Sequence, residues 1–124
     1  MATVTLGADN FEQTVTDNEI VLVDFWASWC GPCRQFSPVY EAASGQYPEI
    51  VFGKVDTEAE QALAGAAQIS SIPTLMAFKK GHLVFSQPGA LPAPALEQVI
   101  DAVVALDVDA ALAAQDQDPE QDRE

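Results

Sequence analysis

The most restrictive feature of this sequence is an apolar run that is followed almost at once by both cysteines of the chain. The run covers residues 20–26 and is apolar on both alternations, which is typical of a central parallel strand covered on both faces. Cys30 and Cys33 come next. After them, apolar residues recur at steps of four, three and four, which indicates one face of a helix: Phe36, Tyr40, Ala43 and Tyr47. We therefore expect the cysteines to lie where a buried strand ends and a helix begins.

The other apolar segments predict further strands and helices in alternation. Additional strands are expected at residues 4–6, 50–55, 74–78 and 83–85, the last two joined by a turn at 79–81. Asp9 and Thr57 are candidate N-caps of two helices, and a last helix carries one apolar face formed by Leu96, Val99, Ile100 and Val103. The order βαβαβαββα predicts an α/β protein. We expect a mixed five-stranded central sheet flanked by four helices on both faces.

Length and composition limit the classes to which the chain can belong. With 124 residues, of which 48% are hydrophobic, it is long enough for one packed domain. Its apolar runs are far shorter than the roughly 18 residues that cross a membrane, and residues 1–5 lack the pattern of a signal peptide. With five Lys and Arg against 19 Asp and Glu, neither nucleic acid nor an anionic membrane is an expected partner. We expect a cytoplasmic protein.

Acidic charge is concentrated near the carboxyl end. Residues 1–106 contain 12 acidic and four basic side chains, whereas residues 107–124 contain seven acidic and one basic. Val108, Ala111 and Leu112 allow a short amphipathic helix, but from Gln115 onward no apolar residue follows, which predicts disorder. The sequence thus predicts a domain over 1–106 and an acidic extension over 107–124, formed by a short helix and a disordered tail.

The spacing of the two cysteines favours thiol chemistry. The thiolate is the form that attacks a disulfide, and a free cysteine of pKa about 8.5 is only about 3% thiolate at pH 7. At a helix N-terminus, the dipole stabilises a Cys30 thiolate by about 0.3–1 kcal/mol, and unpaired N–H groups add hydrogen bonds. Cys33, one turn later, can attack a mixed disulfide on Cys30 intramolecularly. Pro32 is tolerated there because its missing N–H has no intrahelical partner.

Two other uses of the cysteine pair are less favoured. A zinc site needs four ligands, and the chain offers only Cys30, Cys33 and His82, so we expect no metal. A purely structural disulfide is not expected in a chain without an export signal. His82 follows a turn glycine and is interpreted as a solvated surface residue. Redox chemistry is therefore the favoured use of the pair.

Several widely spaced motifs resemble the thioredoxin family over residues 3–106. They are Trp29-Cys30-Gly31-Pro32-Cys33, Val23-Asp24-Phe25-Trp26-Ala27, Pro38, Lys54 with Asp56, Ile72-Pro73-Thr74, Phe78-Lys79-Lys80-Gly81 and Gly89-Ala90. The resemblance implies a thioredoxin fold and a reductase of protein disulfides that binds no cofactor and is re-reduced by thioredoxin reductase. Within the family, Gly-Pro between the cysteines is associated with reducing members. We expect a monomer.

The resemblance also implies roles for individual residues. Cys30 would be the attacking thiolate and Cys33 the buried resolving thiol. Pro73 would follow a cis peptide bond, which is nearly confined to Xaa-Pro bonds, so that the Ile72 backbone faces the cysteines and pairs with a substrate chain. The apolar docking surface around the disulfide would comprise Trp29, Gly31, Pro32, Ile72, Pro73, Gly89 and Ala90.

Asp24 is the most informative residue outside the cysteine motif. A carboxylate inside a doubly covered strand loses hydration, which raises its pKa. A rise of about three units would correspond to a cost of about 4 kcal/mol at pH values above the raised pKa, and Lys54 on the neighbouring strand would offset part of it. The resemblance makes Asp24 the acceptor of the Cys33 proton, through water, when the mixed disulfide is resolved.

Three positions depart from the family pattern. Arg34 replaces the commoner lysine, Ser71 stands at a variable position, and Pro88 removes a main-chain donor before Gly89.

Two rival functions are compatible with the sequence. One rival is a disulfide oxidase or isomerase, which would need an oxidising compartment. The other is a thioredoxin-like interaction module whose dithiol is incidental. A Cys30→Ser variant would lose the activity of a reductase but keep that of a binding module.

Overall fold

Strands and helices alternate in the predicted order in a computed structural model, which describes residues 3–116. The five strands are β1 (Thr3–Thr5), β2 (Ile20–Trp26), β3 (Val51–Asp56), β4 (Thr74–Lys79) and β5 (His82–Pro88). The helices are α1 (Phe11–Asp17), α2 (Gly31–Gln46), α3 (Gln61–Ala66), α4 (Ala93–Ala105) and α5 (Val108–Asp116). The first four helices are those that the sequence predicts around the sheet.

The strands form one mixed sheet in the order β1-β3-β2-β4-β5. Strand β2 is central: it pairs in parallel with β3 and antiparallel with β4, while β1 adds to β3 in parallel and β5 to β4 antiparallel. Asp24 in β2 lies opposite Lys54 on one side and Leu75 on the other. The apolar run at residues 20–26 is therefore the middle of the sheet, and its single charged residue, Asp24, is enclosed by neighbouring strands on both sides.

The sheet is covered on both faces, which explains why β2 is apolar on both alternations. On one face, Leu22 and Phe52 pack against α2 and α4 through Phe36, Tyr40 and Leu96. On the other face, Val21, Val23 and Phe25 pack with Val15 of α1 and Leu63 of α3. Because side chains alternate along a strand, Asp24 and Lys54 share the face of α2. The long helix that follows the cysteines thus covers the buried carboxylate.

Several predicted element ends are wrong by one to three residues, as three cases illustrate. Asn10, not Asp9, precedes α1, and its Oδ1 accepts from the Gly7 N–H at 2.7 Å instead of capping the helix. Thr57 does not cap α3, which starts only at Gln61, because its hydroxyl donates to the Trp26 carbonyl at 3.1 Å. The first strand covers residues 3–5 rather than 4–6. For Thr57 a partner 31 residues away outweighs the local capping signal, whereas Asn10 bonds to a residue three positions earlier.

Helix α5 forms the first part of the predicted extension. Val108 is buried, and the Lys80 ammonium lies 3.3 Å from an Asp109 carboxylate oxygen. The helix continues to Asp116, two residues into the segment that the sequence predicts as disordered; the rest of that tail, 117–124, lies outside the described residues. Between residues 3 and 116 no helix is long and apolar enough to cross a bilayer.

The connection between α4 and α5 is held by a buried cation. Lys79 is buried at the end of β4, and its ammonium donates to the carbonyls of Val103, Val104 and Leu106 at 2.8, 2.8 and 2.6 Å. The last carbonyls of a helix have no intrahelical partner and carry partial negative charge, so a cation there is favourable. Lys79 therefore satisfies the end of α4 and attaches it to the sheet.

Candidate active site

The two cysteines lie at the amino end of α2, as the sequence predicts. Cys30 immediately precedes the helix and Cys33 occupies its first turn; the pair is joined by a disulfide with the Cα atoms 5.2 Å apart. The Cys33 backbone N–H donates to the Cys30 sulfur at 3.1 Å. The same N–H and the helix dipole would stabilise a thiolate on Cys30 after reduction. The reactive position therefore arises from where β2 ends and α2 begins.

The two sulfur-bearing residues border different spaces. Cys30 lines an open groove of about 480 Å³ together with Trp29, Gly31, Pro32, Thr57 and the segment 69–72. Cys33 instead lines a smaller cavity of about 90 Å³, on the inner side, whose walls include Asp24, Lys54, Ser37, Arg34 and Ser28. The outer groove is accessible to a macromolecule. The inner cavity has room only for a few water molecules.

The segment around Pro73 faces the disulfide. The Ile72–Pro73 peptide bond is cis, as the resemblance implied, and the Ile72 carbonyl oxygen lies 3.8 Å from the Cys30 sulfur. Pro73 itself is buried, so its ring offers little surface, while its carbonyl accepts from the Gly89 N–H at 2.8 Å. Gly89 has φ +106°, a conformation that other residues rarely adopt. The exposed Gly89 and Ala90 are thus placed at the rim behind Pro73.

Asp24 is enclosed without a hydrogen-bond partner among the described residues. It is 1% exposed, and neither carboxylate oxygen is paired with a protein group. Burial raises the pKa of Asp24 from 3.8 to about 7, against the smaller, opposite effect of the Lys54 ammonium. The direction of the shift and its cause agree with the sequence prediction. A carboxyl group with this pKa can take up or release a proton near neutral pH.

Lys54 reaches the site from β3, but its ammonium is directed mainly to other groups. It lies 3.9 Å from a Glu41 carboxylate oxygen, donates to the Ser37 hydroxyl at 3.4 Å, and sits 5.2 Å from the centre of the Trp26 ring. In residues 3–116 no ion pair within 4 Å joins Lys54 to Asp24. Asp24 and Lys54 are adjacent in the sheet, as predicted. The Lys54 ammonium acts on the Asp24 carboxylate electrostatically, without a direct ion pair.

Comparison with known proteins assigns the chain to a family. A family model described as thioredoxin matches residues 2–102. A Streptomyces coelicolor protein assigned as thioredoxin 2 is 61% identical over 108 residues, covering 87% of this chain and 81% of that protein. Thioredoxin-1 of Saccharomyces cerevisiae is 40% identical over 95 residues, which are 77% of this chain and 91% of the yeast protein. The chain belongs to the thioredoxin family.

Solved thioredoxin structures support the same assignment. A mutant thioredoxin from Halobacterium salinarum superposes with a TM-score of 0.79 at 32% identity, over 85% of this chain and 93% of that one. The oxidised thioredoxin of Plasmodium falciparum gives 0.75 at 36% identity, over 83% and 99%. The predicted family and fold are therefore confirmed. With its cysteine pair close enough to form the disulfide, this thioredoxin is a protein-disulfide reductase.

Sequence reasoning missed one polar contact at the outer groove of this thioredoxin. The Trp29 indole N–H donates to a Glu58 carboxylate oxygen at 2.8 Å, although Trp29 is 65% exposed. Glu58 follows β3, and its own N–H donates to Asp56 at 2.9 Å. The parallel pairing of β2 and β3 was the available signal, because it brings the residues after both strands to the same edge of the sheet. Glu58 holds the indole in place beside Cys30.

Replacing Glu58 by leucine should weaken substrate docking without altering the thiol chemistry. The indole loses an acceptor, and we expect KM for a protein disulfide to rise about three-fold at unchanged kcat, which corresponds to about 0.6 kcal/mol, as for an exposed hydrogen bond. Steady-state reduction of a protein disulfide would measure both constants. Glu12→Leu, on the exposed side of α1, is the matched control. A fall in kcat with constant KM would contradict this role.

Proposed function

We propose that Cys30 attacks the target disulfide and that Cys33 then resolves the mixed disulfide. The Cys30 thiolate attacks one sulfur of the target, forming a mixed disulfide and releasing the other sulfur as a thiolate. Cys33, once deprotonated, attacks the Cys30 sulfur, which forms the Cys30–Cys33 disulfide and releases the second target thiolate. The observation that carries this order is the different space that each residue borders: Cys30 lines the outer groove and Cys33 the inner cavity.

Asp24 is proposed as the acceptor of the Cys33 proton. Both residues line the cavity of about 90 Å³, which is large enough for water to connect them. The pKa of about 7 supports this role, since a base near the working pH accepts a proton with useful driving force. Lys54 borders the same cavity and favours the ionised carboxylate. In this mechanism Lys54 limits how far the proton affinity of Asp24 rises.

The proposed docking surface accepts an extended chain of the target across the outer groove. Trp29, Gly31 and Pro32 form one wall, and Ile72 lies opposite with its backbone near the Cys30 sulfur. Ile72, in this proposal, pairs with the target through its main chain. Gly89 and Ala90 extend the surface beyond Pro73. The Pro73 ring is buried, so in this proposal Pro73 positions Gly89 through its carbonyl rather than contacting the target with its ring.

The proposed partners are oxidised target proteins and a thioredoxin reductase, in the cytoplasm. One solved relative, 28% identical with a TM-score of 0.75 over 81% of this chain and 94% of that one, belongs to a study of thiol resolution in a yeast mitochondrial 1-Cys peroxiredoxin by glutathione and thioredoxin systems. Oxidised thiol peroxidases are therefore one class of target to test. We propose a thioredoxin domain over 1–106, with 107–124 as an acidic extension, and a monomer.

The equilibrium potential of the Cys30–Cys33 couple tests the direction of the reaction. We expect a value more negative than that of cytosolic glutathione, about −240 mV, together with NADPH-driven reduction of a protein disulfide when a thioredoxin reductase is added. A potential between about −180 and −120 mV, as in oxidising folding catalysts, would contradict the proposal. A failure to observe a reversible two-electron couple would favour the interaction module instead.

A further inference from the structure

Glu41 is fixed beside the Lys54 ammonium, and the mechanism above gives it no role. The Glu41 oxygen that lies 3.9 Å from Lys54 also accepts a hydrogen bond from the Thr3 hydroxyl at 2.9 Å. The second carboxylate oxygen is buried and has no partner among the described residues. The carboxylate is thus anchored by β1 on one side and faces Lys54 on the other.

The positions of Asp24 and Lys54 would allow a closer contact than the one observed. They are register partners on adjacent parallel strands and share the face of α2. The Lys54 ammonium nevertheless points to Glu41 and to the Ser37 hydroxyl, both of which lie on α2. Asp24 is left without a hydrogen bond in the described part of the chain. The helix therefore competes with Asp24 for the same cation.

We propose that Glu41 is a positioning residue which, with Ser37, holds the Lys54 ammonium away from Asp24, so that Asp24 keeps the proton affinity needed to accept the Cys33 proton. The inference rests on the proposed role of Asp24. An opposite charge within about 4–6 Å lowers the pKa of a carboxyl group by about 1–3 units. A direct Asp24–Lys54 ion pair would leave Asp24 ionised but a weaker base.

The charged and titratable groups that face this cavity support a dominant role for the Lys54 position. Strand β3 contributes Lys54 to the cavity wall; Asp56, two residues further along the same face, accepts hydrogen bonds from the N–H groups of Glu58 and Ala59. Strand β4 faces Asp24 with Leu75, which does not titrate. Helix α2 contributes Cys33 and Arg34 at the cavity, with Glu41 and Tyr40 behind them; the Tyr40 hydroxyl donates to the Gly53 carbonyl at 2.8 Å. Two cationic residues line the cavity, Lys54 and Arg34. Of these, only Lys54 forms an ion pair within residues 3–116, with the Glu41 carboxylate.

The Glu41→Gln variant tests the proposal through the titration of Asp24. The carboxyl carbon of Asp24 would be followed by NMR in the oxidised protein, where neither cysteine titrates. We expect its midpoint to fall by about one pH unit, because Lys54 is released towards Asp24. Ser37→Ala should shift it in the same direction by less. Glu12→Gln removes an equal charge from α1 on the opposite face of the sheet and should leave the midpoint unchanged.

The same substitution made in a Lys54→Met variant separates positioning of Lys54 from simple charge repulsion by Glu41. If Glu41 acts through Lys54, adding Glu41→Gln to Lys54→Met should leave the titration midpoint of Asp24 unchanged. An equal shift in both backgrounds would mean that Glu41 acts directly on Asp24 and would overturn the proposal. So would an unchanged midpoint in Glu41→Gln alone.

Kinetics distinguish failure of this inference from failure of the proposed mechanism. Reduction of an aromatic disulfide that releases two thionitrobenzoate equivalents reports Cys30 attack in the first release and Cys33 attack in the second. If Asp24 is the base and Glu41 positions Lys54, the pH profile of the second release shifts by about one unit in Glu41→Gln. If Asp24→Asn alters the second release but Glu41→Gln does not, only the inference fails. If neither does, Asp24 is not the base.

Discussion

Replacing Cys33 by serine should convert this thioredoxin into a trap for its targets. The Cys30 thiolate would still attack, but the mixed disulfide would persist because no internal thiol can resolve it. We expect steady-state turnover to fall at least about a thousand-fold, because an external thiol must replace Cys33. An effective concentration of about 1 M for Cys33, well below the effective molarities that oriented groups reach, is about a thousand times that of an external thiol at about 1 mM. Non-reducing electrophoresis and mass spectrometry would detect the adduct with an oxidised target protein.

The matched variant Cys30→Ser identifies which cysteine attacks first. It should lose turnover to the same extent but form no adduct, since Cys33 faces the inner cavity rather than the groove. A stable adduct on Cys33 in Cys30→Ser, formed as fast as the one on Cys30 in Cys33→Ser, would contradict the assigned order. Retention of biological activity in Cys30→Ser would instead support the interaction module.

Asp24→Asn should make the oxidised protein markedly more stable at alkaline pH. The pKa of Asp24 is about 7 when folded, against 3.8 as its ordinary value. Ionising this group therefore costs the folded state up to about 4 kcal/mol. The cost is absent below pH 4, grows as the pH rises from about 4 to 7, and is constant above the folded pKa. The gain in the free energy of unfolding should follow that curve.

Urea unfolding of the oxidised protein at pH 4, 6 and 8.5 would measure this gain. We expect little difference between Asp24→Asn and the parent at pH 4, and the largest difference at pH 8.5. The Glu12→Gln variant, at an exposed position of α1, controls for removing one negative charge from a chain of net charge −14. A gain of equal size at pH 4 and 8.5 would contradict the burial argument. Asp24→Asn should also slow the second thionitrobenzoate release, which reports the attack by Cys33.

Much of the fold could be predicted because its strongest signals are local. Residues 20–26 are apolar on both alternations, and a segment of this kind needs cover on both faces; the structure provides it with α1 and α3 on one side and α2 and α4 on the other. The Cys30–Cys33 spacing at the start of a helical pattern located the reactive residues. The raised pKa of Asp24 could be predicted too, because a charged residue inside such a strand must lose hydration.

Other features depended on contacts between residues that are distant in sequence. Thr57 has the side chain of a helix cap, but its hydroxyl pairs with Trp26, a choice that exists only once β2 and β3 are adjacent. Glu58 reaches Trp29 for the same reason. Local propensity is worth about 1 kcal/mol at a cap, so a long-range hydrogen bond of similar strength can displace it.

The sequence alone therefore determined the family, the order of the elements, the two cysteines and the burial of Asp24, since each rests on side-chain type and spacing along one or two adjacent segments. Tertiary structure decided how the charges are arranged around that carboxylate. Lys54 is adjacent to Asp24 in the sheet, yet its ammonium is directed to Glu41 and Ser37 of α2. Which partner a flexible lysine takes depends on distances of a few ångströms between three elements, and no periodicity in the sequence encodes them.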